Sequence, residues 1–182
     1  VTAPLDVDML AELAEVVRLA TKAYEEYDHA RALEVTEQFF WTFCDDYLEL
    51  VKERAYAGDG SAVAALTQAI DILLRLLAPV LPFATEEVWS WTHDGSVHTA
   101  AWPTLEADAP RGLLPAVSAA LIGIRRAKTE AQASQKTEVL SAVLAGPAFL
   151  AEAADDLKAV GKIAELSLVE ADEIAVSDIV LA

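Results

Sequence analysis

The chain has 182 residues, 54% of them hydrophobic, with seven Gly and seven Pro; this is enough for one sizeable core, or a main domain with a small appendage, and too few breakers for a disordered chain. Thirty acids against thirteen bases leave a net charge of −17 at pH 7, which repels nucleic acid at long range, so an RNA partner requires a local basic face or parts of a larger protein. The single cysteine, Cys44, excludes an internal disulfide framework and a thiolate metal site, and no apolar run reaches the roughly 18–20 residues needed to cross a bilayer.

The opening VTAPLDVDML lacks the basic start and apolar run of a secretory signal, which predicts a cytoplasmic protein. It begins without an initiator methionine and leads within a few residues into a helix, so it reads as a piece of a longer chain. Asp6 is the expected N-cap of that helix, and Leu10, Leu13, Val17, Ala20, Tyr24 and Tyr27 form its apolar seam. Arg18 and Lys22, one helical turn apart beside the seam, read as solvated charges, with phosphate contact the alternative.

Asp28 is the expected cap of a second helix running to Ala57. It holds FFWTFCDDYLELVKERAY (Phe39–Tyr56), in which Phe39, Phe40, Trp41, Phe43 and Tyr47 crowd into two turns. Leu33, Phe40, Phe43, Tyr47, Leu50 and Arg54 fall on one side, so this helix reads as the spine of a bundle with its aromatics in the core. Gly58 suits a left-handed position after its end, and Ser61 is expected to cap a third helix that turns Leu66, Ile70, Leu73, Leu74 and Leu77 inward. Asp71 and Arg75 form an i, i+4 pair. Pro79 and Pro82 stop that helix, and Thr85 caps a short one that lays Val88, Trp89 and Trp91 on the bundle.

Pro103 and Pro110 break the irregular stretch that follows, and the spacing puts a domain boundary near residues 104–111. Residues 1–104 then form a helical bundle and residues 111–182 a small α-β-α-β-β module. In the module Leu113, Val117, Leu121, Ile124 and Ala131 line a helix, Val139–Leu144 reads as a strand closed by Gly146-Pro147, Phe149–Lys162 as a helix, and Ala164–Glu170 and Ala175–Leu181 as two strands.

Three stretches together resemble one family, the class I aminoacyl-tRNA synthetases for large aliphatic amino acids. PVLPFATEEVW (Pro79–Trp89) looks like that family's helix-break-helix segment, and GSVHTAAWP (Gly95–Pro103) like its tryptophan-proline segment. Cys44, Asp45, Tyr47, Glu49 and Lys52 fit a Cys-Asp-x-Tyr-x-Glu-x-x-Lys pattern similar to the valyl branch, and IRRAKTEAQASQK (Ile124–Lys136) resembles the arginine-bearing helix behind it.

The resemblance implies a mostly α fold, the C-terminal anticodon-binding bundle of a bacterial valyl-branch synthetase with a small α/β module behind it. It implies valine tRNA as partner, attachment to a catalytic domain of the same synthetase that uses ATP and Mg, a monomer, and no membrane. The chain carries no His-Ile-Gly-His-like or Lys-Met-Ser-Lys-Ser-like motif, so it is expected to be no enzyme by itself and to hold no cofactor.

The best RNA-facing stretch is Arg111 to Lys136, with Arg111, Arg125, Arg126, Lys128 and Lys136 against one acid, Glu130. On a continuous helix Arg125, Thr129, Gln132 and Lys136 would share a face that follows a phosphate backbone. Lys52 and Arg54 are the second candidate pair, to be read either as RNA contacts or as cations complementing a helix terminus. Cys44 reads as a buried thiol, and His93 and His98 lack a third ligand. An acidic scaffold or protein-interaction bundle without RNA binding is the competing class; it requires an exposed apolar groove and no continuous basic face.

Overall fold

A computed structural model describes residues 1–108 and 110–182. Its elements are α1 (Pro4–Glu25), α2 (His29–Thr42), a π-helical turn (Phe43–Tyr47), α3 (Leu48–Tyr56), α4 (Gly60–Leu77), α5 (Pro82–Ser90), α6 (Leu113–Glu130), β1 (Val139–Gly146), a 3-10 turn (Ala148–Ala153), α7 (Ala154–Gly161), β2 (Ile163–Glu170) and β3 (Ala175–Leu181). The expected mostly α bundle followed by an α-β-α-β-β module is what the chain forms.

The first helix starts earlier than its carboxylates suggest. Pro4 takes the first helical position, where its missing N–H costs nothing, and Ala3 stands at the N-cap. Asp6 is therefore no cap; it lies fully buried in the first turn. Leu5, Met9, Leu13, Val17, Ala20 and Ala23 make the inward stripe, whereas Tyr27, expected on the seam, is 83% exposed at positive φ beyond the helix end.

Asp28 caps α2 as expected, its Oδ1 accepting from the Arg31 N–H at 2.9 Å. The π turn then carries the helix into α3 with its register shifted. Phe39, Phe43 and Tyr47 stack at centroid distances of 6.4 and 5.7 Å, facing the core with Leu50 and Val51. Not every aromatic is core: the shifted face leaves Phe40 half-buried and Trp41 54% exposed.

Gly58 has a φ of +83°, the left-handed conformation that ends α3. Asp59, not Ser61, caps α4 by accepting from the Ala62 N–H at 2.8 Å. Ser61 instead accepts from the Thr2 and Ala3 N–H groups and donates to Asp6. The inward face of α4 is Ala62, Ala65, Ala69, Ile72, Leu73 and Leu76, small residues toward the start allowing close helix approach, while Ile70 points outward. This helix passes length and composition criteria for a membrane span, but that inward face packs into the shared core.

Pro82 opens α5, and Thr85 is not its cap: the Thr85 hydroxyl donates back to the Leu81 carbonyl. Trp89 is buried with Ala78 and Val97, whereas Trp91 is 68% exposed. Trp102 Nε1 donates to Thr21 Oγ1 at 2.8 Å, tying the following loop to α1.

Asp8, buried on α1, accepts from the Arg111 and Leu114 N–H groups at 2.5 and 2.8 Å, so the start of α6 is capped by a carboxylate from the first helix. One apolar core runs from Leu5 and Met9 through Leu113, Leu121 and Ile124 to Leu144 and Ile163. The sheet has strand order β2-β1-β3, parallel between β1 and β2 and antiparallel between β1 and β3. Gly123 lets β3 approach α6, because a Cβ there would sit 2.8 Å from Val176 Cγ2. Ala131 falls just past the end of α6 and is exposed, so it does not extend the buried face.

Candidate nucleic-acid interface

The two basic stretches singled out in the sequence meet in space. Between α3, α6 and the C-terminal end of α7 lies a cleft of about 650 Å3 lined by Lys52, Arg125, Lys128, Lys136 and Lys162, with Glu49 and Glu53 opposing. Five of the chain's thirteen bases but only two of its thirty acids border it. In a molecule of net −17, this is a local concentration of positive charge with low-dielectric walls, which focuses the field on an incoming anion.

The cations differ in how far they are committed to the protein. Lys136 and Lys162 are exposed, and no ion pair reaches either among the described residues. Lys52 Nζ donates to Glu49 Oε2 at 2.6 Å, with both side chains about 40% exposed, a pairing weak enough in water to be exchanged. Arg125 donates through Nη2 to the Asp45 carbonyl at 3.1 Å and through Nη1 to Asp46 Oδ1 at 3.4 Å. These bonds aim its guanidinium from α6 onto the π turn.

Lys128 belongs to the interior. It is 1% exposed, and its Nζ donates to the carbonyls of Gln135, Thr137 and Gly161 at 3.1, 2.8 and 2.8 Å. Burial, with help from the Lys162 charge, holds its pKa below the usual lysine range. Its expected place on the surface is corrected accordingly: all three ammonium donors are used in closing the loop after α6 over the end of α7.

Arg54 is corrected for the same reason. Its guanidinium donates to Asp6, Asp59 and Asp156, joining α1, the cap of α4 and α7. Burial lowers its pKa, but the bonds to Asp6 and Asp156 outweigh that and hold it above the usual arginine range. Asp156 is raised by burial despite Arg54. Tyr47, raised by burial and then by Asp6, donates its hydroxyl to Asp6 at 2.9 Å.

The continuous face Arg125–Thr129–Gln132–Lys136 does not form, because α6 ends at Glu130 and Gln132 has a φ of +55°. The chain turns back instead, and Gln135 Nε2 donates to the Arg125 carbonyl and to Thr129 Oγ1. That reversal is what carries Lys136 to the cleft. Arg126 points elsewhere and pairs with Glu130, while Arg111 grips Glu152 with both terminal nitrogens. His93 stacks on Trp89 at 3.7 Å with Asp71 beside it, and burial pushes the Cys44 thiol up.

Lys162 is the cleft residue that sequence reasoning missed. It occupies the left-handed position that ends α7 (φ 53°), and its signal was the Gly161-Lys162 pair closing a helix just before a strand.

Residues 6–144 match the family described as the anticodon-binding domain of tRNA ligase. The chain is 56% identical over its whole length to a valine–tRNA ligase of Leifsonia xyli, of which it covers 22%. It is 52% identical over 95% of its length to the valine–tRNA ligase of Thermobifida fusca (21% covered) and 47% identical over 97% to that of Cutibacterium acnes (20% covered). The chain thus spans about a fifth of the length of the curated relatives it matches.

Proposed function

The chain belongs to the family of anticodon-binding domains of tRNA ligases, and on that footing we propose that its cationic cleft holds the anticodon region of valine tRNA. The observation that carries this is the convergence of Lys52, Arg125, Lys136 and Lys162 on one cleft of an otherwise acidic chain. Exposed ammonium and guanidinium groups displace counterions from phosphates, and unpaired loop bases splay onto a rigid protein surface without melting a helix. The similarity to valine–tRNA ligases supports valine as the amino acid of the cognate tRNA.

In this reading the chain is the recognition end of a longer, monomeric, cytoplasmic enzyme. A catalytic domain outside these residues consumes ATP with Mg and attaches the amino acid, while this part fixes where the tRNA sits. We keep the two-part division at residues 104–111 as part of the proposal, with the core shared across it and Asp8 as the joining cap. Positioning the tRNA supplies orientation rather than chemistry.

The test is a titration of the folded chain with valine tRNA and a non-cognate tRNA at two salt concentrations, for the natural sequence and for Lys136→Glu combined with Lys162→Glu. Both positions are exposed, so the melting curve is expected to stay in place while binding is lost. Unchanged affinity in the folded double variant would overturn this assignment of the cleft.

A further inference from the structure

Thr21, Tyr24 and Glu25 are spaced i, i+3 and i+4 near the C-terminal end of α1, so they share one face of its last turns. Trp102, from the loop after α5, lies across that face and completes a notch of about 290 Å3 lined by these four residues. The Tyr24 and Trp102 rings meet at 82° with centroids 5.3 Å apart, forming two perpendicular aromatic walls. Both rings are held. Trp102 Nε1 donates to Thr21 Oγ1 at 2.8 Å, and the Thr21 hydroxyl donates in turn to the Val17 carbonyl at 2.7 Å. That bond uses the edge of the indole and leaves Trp102 37% exposed. His29 packs against Tyr24 edge to face at 5.6 Å, and the buried Pro103 anchors the loop next to Trp102. Glu25 is exposed at the rim, and no ion pair reaches it among the described residues. The notch shares no lining residue with the cationic cleft.

We propose that this notch binds the quaternary ammonium group of a small free solute of the choline class. Two aromatic faces set at a right angle present negative quadrupole charge to one point, and a carboxylate at the rim adds to it. A metal ion or a primary ammonium would have to give up hydration that apolar walls cannot replace. A quaternary ammonium is sheathed in methyl groups, so it is weakly hydrated and packs against the rings as an apolar body while keeping its charge. The volume is that of a headgroup rather than of a larger ligand, falling just under the roughly 300–1,000 Å3 of drug-sized sites. A net charge of −17 raises the local concentration of any cation at such a rim. The same Glu25 carboxylate turns away a headgroup that carries phosphate beside its ammonium, which selects a free solute over a lipid headgroup. Because Thr21 fixes the indole before the ligand arrives, little side-chain freedom is lost on binding.

The probes are choline, its neutral carbon isostere (a tert-butyl group in place of trimethylammonium) and phosphocholine. Each is titrated against the folded chain at constant ionic strength and followed by NMR at the Trp102 indole N–H. Choline should saturate that signal in the millimolar range, with the isostere about tenfold weaker. Phosphocholine should also bind more weakly than choline. Trp102→Leu and Tyr24→Leu, followed by calorimetry, should each erase the advantage of choline over the isostere. Glu25→Gln changes only an exposed side chain, so it keeps the fold, and it should weaken choline about threefold while leaving the isostere unmoved. Equal binding of choline and the isostere to the natural chain would overturn recognition of the charge. Phosphocholine binding as tightly as choline would overturn the free solute as the source. A Trp102 signal that choline does not move, or unchanged choline affinity in both leucine variants, would overturn the notch as the site.

Discussion

Lys52 and Arg54 stand two residues apart on α3 and serve opposite ends. Two helical positions turn the side chain by more than half a circle, so Lys52 reaches the cleft while Arg54 turns back among Asp6, Asp59 and Asp156. Arg125 and Lys128 on α6 repeat the division, one aimed outward over the π turn and the other consumed by three carbonyls. Partners, rather than residue type, decide which cation is free to meet a ligand. The buried pair builds the cleft: Arg54 ties α3 to α7, and Lys128 ties the loop after α6 to the end of α7.

The largest effect should come from the buried side. Arg54→Ala leaves Asp6 and Asp156 buried without a counter-charge, and urea unfolding should show a loss of about 3–5 kcal/mol. Arg54→Lys, unable to span three carboxylates with a planar fork, should recover part of it. A loss under about 1 kcal/mol for the alanine variant would break the comparison. Lys128→Met, which strands three carbonyls, is expected to lose about 3 kcal/mol. Its salt dependence of tRNA binding, once corrected for folded fraction, should match that of the natural chain.

Glu12 offers a smaller change of opposite sign. Burial together with the neighbouring Asp8 raises its folded pKa to about 7, above its ordinary 4.5, so the folded state holds the proton more tightly. The stability this contributes is fully present below about pH 4.5 and is lost as pH rises through 7. With allowance for its partial exposure, Glu12→Gln should gain about 1–2 kcal/mol at pH 8 and flatten the pH profile measured by thermal melts. A variant no more stable than the natural chain at pH 8 would show that the carboxyl is solvated.

The sequence made the architecture legible because its signals were local: Asp28, Gly58, Pro79 and Gly146 each marked an end that the structure keeps, while Pro82, expected to stop a helix, opens one. Caps that depend on distant parts were not legible. Asp6 looked like an N-cap because nothing local shows that Tyr47, Arg54 and Ser61 converge on it. Asp8 caps α6 across 106 positions of chain. The site was half legible for the same reason. The basic stretches could be counted, but helical spacing past Glu130 assumed a helix that ends there. Burial of Lys128 depends on carbonyls brought by a loop and by α7, and Lys162 gains meaning only once α7 lies beside α3.

The finest test concerns how far the free face extends along α6. Arg126 neighbours Arg125 in sequence, yet it lies outside the cleft lining, highly exposed and paired with Glu130 one turn on. Such an exposed pair adds little to stability, so Arg126→Ala should leave the melting curve unmoved. If only cleft cations meet phosphate, the slope of log affinity against log salt should also stay fixed for Arg126→Ala, while Lys136→Ala and Lys162→Ala should each lower it by about 1. A comparable fall for Arg126→Ala would mean that its ion pair opens to the RNA and that the phosphate path leaves the cleft along the outer side of α6. The division would then lie between Lys128 and every other basic residue of that helix, with exchange of a weak surface partner for phosphate as the physical rule.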